Sequence, residues 1–280
     1  MRVVRTVKEV RQIVHQRAGQ IGFVPTMGAL HDGHVSLIQR ARRECDTVVA
    51  SIFVNPLQFG AHEDLSRYPR PFDADAAKAL ESGVDVLFAP AVEEMYPHPI
   101  ATTVTAGPIG GLYEGASRPG HFDGVATVVT KLLSIVGPCR AYFGEKDFQQ
   151  LTVIRQLVGD LSLPVDVVGC AIVRKPSGLA MSSRNVYLTD AQRSAATVLH
   201  RALQAAVELA ASGDATPIAV EDRIREIASS EPLVNLDYAV VVNSRTLERP
   251  PGGQWPTSSR ALVAAVVGTT RLIDNAAVGE

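Results

Sequence analysis

The sequence predicts an α/β protein, with a parallel sheet in an N-terminal domain and a smaller α+β domain after it. As far as Cys170, short apolar runs typical of buried strands alternate with stretches whose apolar residues recur at helical spacing. Beyond Lys175 the alternation stops, and a long alanine-rich helical pattern leads into consecutive strands. The chain has 280 residues, 46% of them hydrophobic, which is enough for two cores. We therefore expect domains at 1–175 and 176–280.

The N-terminal domain begins with a β-α-β unit. Ile21-Gly-Phe-Val-Pro25 and Thr47-Val-Val-Ala-Ser-Ile-Phe-Val54 have the length and composition of buried strands, and a helical pattern from Val35 to Cys45 separates them. Further helices are predicted at 73–82, 123–135 and 149–161, and further strands at 84–88, 139–143 and 165–170. Such alternation builds a Rossmann-like parallel sheet, whose ligands bind beyond the carboxyl ends of the strands.

The C-terminal domain opens with a helix that is predicted to follow Thr189 and to run on, without an intervening strand, through an alanine-rich stretch to about Ala211. A second helix follows at 218–228. Three strand-like segments complete the domain, at 235–242, 260–267 and 270–275, and Pro250-Pro-Gly-Gly253 separates the first two. This order of helices and strands predicts an α+β layout.

Composition and charge exclude several classes of protein. The 27 basic and 29 acidic residues give a net charge of −2, which leaves no broad cationic surface for a nucleic-acid backbone. No apolar run approaches the ~20 residues of a membrane span, and Met1-Arg-Val-Val-Arg-Thr-Val has no signal-peptide core. We therefore expect a cytoplasmic protein without a membrane partner. Cys45, Cys139 and Cys170 lie far apart in apolar stretches, so free core thiols are expected.

The turn Pro25-Thr-Met-Gly-Ala-Leu-His-Asp-Gly-His34 joins the first predicted strand to the first helix. Gly28 and Gly33 allow close approach of a ligand, and a helix N-terminus attracts anions, so the turn could hold a phosphate. His31 and His34 are three positions apart and would point the same way. Ordinary turn glycines with capping histidines are one alternative, and a zinc-binding His-x-x-His pair is another. The turn matches neither a Walker loop nor the Gly-x-Gly-x-x-Gly fingerprint.

Two further stretches carry polar groups that suit an anion. Phe143-Gly-Glu-Lys-Asp147 follows a predicted strand, where Lys146 could bind phosphate and Asp147 could accept from ribose hydroxyls or cap a helix. Leu179-Ala-Met-Ser-Ser-Arg-Asn185 places two hydroxyls and a guanidinium close together near the expected domain boundary. A solvated turn charge and a polar linker are the respective alternatives.

Together these stretches resemble one family, the pantoate:β-alanine ligases of the nucleotidylyltransferase superfamily. The turn at 25–34 is similar to the superfamily's His-x-Gly-His signature, and Met181-Ser-Ser-Arg184 is similar to the Lys-Met-Ser-Lys-Ser loop of class I synthetases. The remaining matching segments are Ser51-Ile-Phe-Val-Asn-Pro-Leu-Gln-Phe59, Gly120-His-Phe-Asp-Gly124 and Phe143-Gly-Glu-Lys-Asp-Phe-Gln-Gln150. The resemblance covers nearly the whole chain.

The resemblance implies an ATP-dependent ligase that forms pantoyl adenylate from pantoate and ATP, and then pantothenate from the adenylate and β-alanine. Its catalytic residues would be His31, His34 and Lys146, with His34 as proton donor, and Gln58 and Gln150 would bind pantoate. The resemblance assigns ATP binding to Met27, Gly28, Ala29, Leu30, His31, Asp32, Gly33, His34, Gly144, Glu145, Lys146, Asp147, Val173, Met181, Ser182, Ser183 and Arg184. The domain at 1–175 would bind nucleotide and pantoate, and the domain at 176–280 would act as a lid.

The resemblance also implies Mg²⁺ carried on the ATP phosphates, and a homodimer. No residue is assigned as a metal ligand, although Asp75 is a candidate carboxylate. Arg184 stands where the synthetases have a second lysine, and a guanidinium can replace it on phosphate oxygens. Gly120-His-Phe-Asp-Gly124 could equally be a helix start capped by Asp123. An adenylyltransferase of the same superfamily and a nucleotide-binding regulator without turnover remain the alternative functions.

Overall fold

A computed structural model describes residues 1–60, 63–249, 254–255 and 258–279. The chain forms two compact units. The first comprises Met1–Glu145 and Gln149–Ala171, and the second comprises Lys146–Phe148 and Ile172–Glu280. Pro250-Pro-Gly-Gly253, which separates two of the predicted strands, lies outside the described residues.

The first unit is built on a six-stranded sheet in which every neighbouring pair is parallel. Its strands are β1 (Arg2–Val4), β2 (Ile21–Thr26), β3 (Thr47–Ile52), β4 (Val86–Phe88), β5 (Cys139–Gly144) and β6 (Val165–Cys170). The strand order is β1-β4-β3-β2-β5-β6. Because β3 and β5 lie on opposite sides of β2, the order reverses between β2 and β5, and open α/β sheets bind ligands beyond such a switch point.

Helices connect these strands. They are α1 (Val7–His15), α2 (Asp32–Glu44), α3 (Phe72–Glu81), α4 (Val92–Met95), α5 (Glu114–Ser117), α6 (His121–Val136) and α7 (Phe148–Asp160). In α2, Leu37, Ile38 and Ala41 are buried in one core cluster with Val24 of β2 and Val48 of β3. The apolar stripe that predicted this helix is therefore the face that packs on the sheet.

Two elements at the N-terminus, β1 and α1, were not predicted from the sequence. The signal for α1 was present, because Thr6 and Glu9 form a capping box in which the threonine accepts from the Glu9 N–H and the glutamate accepts from the Thr6 N–H. At three residues, β1 is too short for an alternating pattern to be recognised.

The second unit contains an antiparallel sheet of three strands in the order β7-β8-β9, with helices. The strands are β7 (Val234–Asn243), β8 (Ser259–Val267) and β9 (Thr270–Val278), and the helices are α8 (Asp190–Ala195), α9 (Val198–Ala211) and α10 (Pro217–Ser229). Helix α9 packs on α10 and β9 through small side chains, among them Ala202, Ala206 and Ala210. The unit is thus α+β, as predicted.

The prediction of one continuous helix from Thr189 to Ala211 is wrong. The helix is interrupted between α8 and α9, where the Thr197 hydroxyl donates to the Ser194 carbonyl over 2.7 Å. The Thr197 N–H also bonds to the Ser194 carbonyl, three residues back instead of four. A threonine side chain that competes for backbone carbonyls bends or ends a helix.

The predicted fold class is confirmed in both units. Within the described ranges, no helix is long and apolar enough to cross a membrane. Cys45, Cys139 and Cys170 are free and buried, and burial raises the pKa of the Cys139 thiol to about 12.

Candidate active site

The turn that follows β2 runs from Met27 to His31, the residue that precedes α2. Gly28 has a φ of +84°, which only glycine adopts readily. A Cβ at this position would lie 2.9 Å from Asp75 Oδ2 and 3.1 Å from Ile52 Cγ2. Glycine is therefore required here by both the backbone conformation and the space.

Two side chains of α3 hold this turn. The Asp75 carboxylate, only 3% exposed, accepts the Ala29 N–H at 2.8 Å through Oδ2 and the Leu30 N–H at 2.7 Å through Oδ1. Lys78 Nζ donates to the Leu30 carbonyl over 2.6 Å. These bonds stabilise Ala29 at a φ of +50°, a conformation that costs a non-glycine residue free energy. Asp75 was predicted only as a candidate magnesium ligand, and its contact with the turn was not predicted from the sequence.

His31 and His34 lie together at the N-terminus of α2, with ring centroids 4.1 Å apart. His31 Nδ1 accepts the Gly33 N–H at 3.1 Å, and His34 Nδ1 accepts the His31 N–H at 3.3 Å. Because each Nδ1 is an acceptor, each neutral ring carries its proton on Nε2. The two histidines therefore cap the helix and lie at its positive end, where an anion is favoured.

Gln58 lies beside the turn. It belongs to a short 3-10 helix, Pro56–Gln58, that Asn55 caps through its side chain. Gln58 is 7% exposed, and its Nε2 donates to Met27 Sδ over 3.1 Å. The structure thus brings together two predicted site residues that are 31 positions apart, from the segments after β2 and β3. Asn55, which is buried and bonded to Gln58, was not predicted as a site residue.

Other predicted residues lie at the end of β5, next to β2 in the sheet. Strands β2 and β5 pair in parallel, with Phe23 opposite Ala141, so their carboxyl ends lie at one edge. Gly144 ends β5, Glu145 follows in a 3-10 turn, and Gln150 is half-buried in the first turn of α7. Asp32, in the first turn of α2, is exposed.

The remaining predicted residues belong to the second unit. Lys146 Nζ lies 3.3 Å from Asp147 Oδ1, and the Lys146 carbonyl accepts from Asn275 Nδ2. The Met181 N–H donates to the Val173 carbonyl over 3.0 Å, which places these two residues opposite each other.

The segment after Met181 forms a short 3-10 helix, Ser183–Tyr187. Ser182 caps it, because its Oγ accepts the Arg184 N–H at 3.3 Å. Val173, Met181, Ser182, Ser183 and Arg184 are therefore organised around one hairpin and the helical turn that follows it.

These features define a nucleotide-binding α/β protein, with a His-x-Gly-His turn at the switch point of a parallel sheet. The family model for pantoate-beta-alanine ligase matches residues 2–277. A pantothenate synthetase of Brucella canis is 51% identical over 282 aligned positions, which cover 100% of this chain and 96% of the relative. The chain therefore belongs to the pantoate-beta-alanine ligase family, and it is an enzyme of the ligase class.

Solved structures agree with the family. The pantothenate synthetase of Thermus thermophilus superposes with a TM-score of 0.94 at 52% identity, over 99% of both chains. The pantoate-beta-alanine ligase of Francisella tularensis, whose structure is a complex with beta-gamma ATP and beta-alanine, gives a TM-score of 0.80 at 35% identity. That match covers 99% of this chain and 97% of the other.

Proposed function

We propose that this ligase joins pantoate to β-alanine in two steps through an enzyme-bound pantoyl adenylate, at the expense of ATP. The observation that carries the proposal is the contacting pair of histidine rings, His31 and His34, at the N-terminus of α2, with the Gln58 amide beside the same turn. The Francisella relative with ATP and β-alanine ligands supports the choice of two of the three substrates.

In the first step, a pantoate carboxylate oxygen attacks the α-phosphorus of ATP. The bond from that phosphorus to the bridging oxygen breaks, and pyrophosphate leaves with the electron pair. His31 and His34 donate to phosphate oxygens as their negative charge increases, His34 being the proton donor, and Lys146 adds a positive charge. Donors held in place before the reaction stabilise the transition state without reorganising.

In the second step, the β-alanine amine attacks the acyl carbon of the adenylate. The bond from this carbon to the phosphate oxygen breaks, AMP leaves, and the nitrogen loses a proton as the amide forms. No enzyme nucleophile takes part, so the residues act by positioning substrates and neutralising charge.

Gln58 and Gln150 are proposed to bind pantoate. Neutral amides can donate to its carboxylate and exchange hydrogen bonds with its hydroxyls. The burial of Gln58 supports this role, because a buried amide strongly favours a ligand that completes its hydrogen bonds.

The rest of the proposed ATP contacts follow the resemblance of the sequence to the family. They comprise the turn at 27–34, Gly144, Glu145, Asp147, the backbone near Val173, and the segment at 181–184, where Arg184 would bind phosphate oxygens through its guanidinium.

Mg²⁺ is proposed to bind on the phosphates of ATP, where it would neutralise part of their charge. Both oxygens of Asp75 accept N–H groups of the turn, so this carboxylate is already used in holding the backbone. The proposed ion is therefore assigned to the phosphate oxygens.

We further propose that the enzyme works in the cytoplasm as a homodimer. The three free, buried cysteines are compatible with a reducing compartment. The family resemblance supports the dimer, which sedimentation equilibrium would test by giving twice the mass of the chain.

The two-step reaction is tested by isotope exchange. With ATP and pantoate but no β-alanine, the enzyme should transfer labelled pyrophosphate into ATP, and the exchange should require pantoate. Exchange that proceeds without pantoate would indicate an adenylyltransferase acting on another acceptor. Binding of ATP without exchange or product would indicate a nucleotide-binding regulator.

A further inference from the structure

A chain of hydrogen bonds in the first unit leads from Tyr96 through Asn55 to Gln58. Tyr96 Oη donates to Asn55 Oδ1 over 2.8 Å, and Asn55 Nδ2 donates to Gln58 Oε1 over 3.2 Å. Asn55 is 1% exposed, so its amide is shielded from water that could replace these partners.

Two backbone groups determine how the Asn55 amide is oriented. The Gly124 carbonyl, which can only accept, takes a bond from Nδ2 at 3.1 Å, and the Leu57 N–H, which can only donate, bonds to Oδ1 at 3.3 Å. A flipped amide would oppose both groups. Asn55 must therefore accept from Tyr96 and donate to Gln58.

The direction of these hydrogen bonds determines which atom of the Gln58 amide, Oε1 or Nε2, faces the turn that contains Met27. Since Asn55 requires an acceptor, Gln58 presents Oε1 to it, and the Gln58 Nε2 group lies on the other side, against Met27 Sδ. Gln58 therefore offers N–H donors toward the turn. A carboxylate or hydroxyl oxygen of pantoate can accept from such donors.

The backbone of Gln58 is held separately. Its carbonyl accepts from His121 Nδ1 over 2.8 Å, and His121 Nε2 accepts from Arg118, because a guanidinium only donates. A Cβ at Gly124 would lie 2.3 Å from the Leu57 carbonyl oxygen, so the start of α6 packs directly on this segment. The Gly120–Gly124 motif thus supports the main chain of Gln58, while Asn55 and Tyr96 orient its side chain.

Tyr96 is suited to act as a permanent donor. Its ring lies 6.0 Å from the ring of Phe53, and Lys131 Nζ lies 5.3 Å from its centroid. Burial raises the pKa of the Tyr96 hydroxyl to about 12, so the proton is retained at neutral pH.

We propose that Tyr96 is a positioning residue for pantoate, which acts through Asn55 to turn the Gln58 amide so that its N–H groups face the substrate. The inference rests on the proposed role of Gln58 in binding pantoate. In this proposal Tyr96 itself touches none of the three substrates.

The test is Tyr96→Phe, which removes the hydroxyl and keeps the ring. Loss of one orienting hydrogen bond should raise the KM for pantoate about fivefold to tenfold, with kcat and the KM for ATP nearly unchanged. The matched control is Tyr142→Phe. Tyr142 is fully buried, and its hydroxyl bonds to Cys45 and Glu44 instead of Asn55. This variant should leave the KM for pantoate unchanged.

A double-mutant cycle separates positioning from a general loss of stability. In a Gln58→Ala background, Tyr96→Phe should raise the KM for pantoate no further, because its effect passes through the missing amide. Gln58→Glu tests the direction of the amide, since it replaces the N–H donors with an oxygen that repels the pantoate carboxylate. It should raise the KM for pantoate at least as much as Gln58→Ala.

The outcomes are distinct. If Gln58→Ala leaves the KM for pantoate unchanged, the pantoate role of Gln58 and this inference both fail. If Gln58→Ala raises it but Tyr96→Phe does not, or the two effects multiply, only the inference fails. A Gln58→Glu enzyme that binds pantoate normally would also overturn the inference, because the amide would then not be donating.

Discussion

The turn at Met27–His34 and the segment at Met181–Arg184 both carry proposed phosphate ligands, but different kinds of contact hold them. The turn is held by Asp75 and Lys78, which lie 45 to 48 positions further along the chain than the groups they bind. The cap of the segment joins close neighbours in sequence, since Ser182 Oγ accepts the Arg184 N–H.

The difference shows where preorganisation originates. A buried carboxylate that binds two N–H groups makes the shape of the first turn depend on the packing of α3, so the donors are in place before a ligand arrives. The cap of the second segment, by contrast, is a bond between close neighbours in sequence, although the hairpin before it is tied to Asp274 through Arg174. A substitution in α3 should therefore disturb the first region.

The largest effect should come from removing a donor of the turn itself. His34→Ala should slow pantoate-dependent pyrophosphate exchange by ~10²–10³, because one preorganised donor contributes that much to the rate. Circular dichroism should be unchanged. His15→Ala, at the exposed end of α1, is the control. Exchange at a near-normal rate in the His34 variant would remove His34 from the mechanism.

Asp75→Ala should have the next largest effect, although Asp75 is proposed to touch no substrate. It leaves the Ala29 and Leu30 N–H groups without their acceptor, which should lower stability by ~3 kcal/mol and kcat/KM for ATP by about tenfold or more. The neighbouring Asp73→Ala, an exposed change on the same helix, is the control. Chemical denaturation and initial rates measure the two quantities.

Asp75→Asn refines this prediction because it retains one acceptor oxygen. It should lose less activity than Asp75→Ala. If both Asp75 variants kept the wild-type kcat/KM for ATP, the turn would not depend on α3, and the contrast between the two regions would be wrong.

Arg184→Ala tests the second region. It should slow pyrophosphate exchange about tenfold, since a charge-assisted bond to phosphate is lost, while the conversion of supplied pantoyl adenylate to pantothenate stays nearly normal. Arg201→Ala, exposed on α9, provides the control. Equal loss in both half-reactions would show that Arg184 also serves acyl transfer.

The smallest effect concerns pH and the hairpin that precedes Met181. His200 packs against Gly178, where a Cβ would lie 2.3 Å from His200 Cδ2. Burial lowers the pKa of His200 below its ordinary 6.5, Arg174 lowers it further and Asp274 opposes them. Because the unfolded chain then binds the proton more readily, His200 should cost stability as pH falls below about 6.5.

Replacing this histidine should remove that acid sensitivity. The fall in Tm between pH 7.5 and pH 5 should be smaller in His200→Gln than in the wild type, by a few degrees at most. The exposed His15→Gln provides the comparison. An unchanged pH dependence in His200→Gln would show that the environment of His200 does not favour the neutral ring.

The two regions also differ in how far the sequence predicted them. The spacing of His31 and His34 predicted that both rings point the same way, because one helical turn separates them, and the rings are in contact. The contact of Asp75 with Ala29 and Leu30 was not predicted, because nothing in the local pattern of α3 indicates which turn it faces. The same holds for Asn55 and Tyr96, which are 41 positions apart.

Two of the incorrect predictions concern bonds between residues that are close in sequence. The Thr-x-x-Glu pattern of the capping box formed by Thr6 and Glu9 is present in the sequence, but α1 was not predicted from it. The interruption at Thr197 was missed because the apolar pattern continues through it, while a single hydroxyl bond to Ser194 ends the regular backbone pattern. Periodicity reports which face is buried and is insensitive to one changed hydrogen bond.

The sequence by itself determined the alternating elements of the first unit from β2 onward, the α+β layout of the second, and the family, because each depends on residues near one another along the chain. Only the tertiary structure decided that β5 lies beside β2, that Asp75 shapes the turn at Met27–His31, and that Asn55 orients Gln58. The physical reason is that these contacts join distant residues, and their geometry exists only after the strands have taken their order in the sheet.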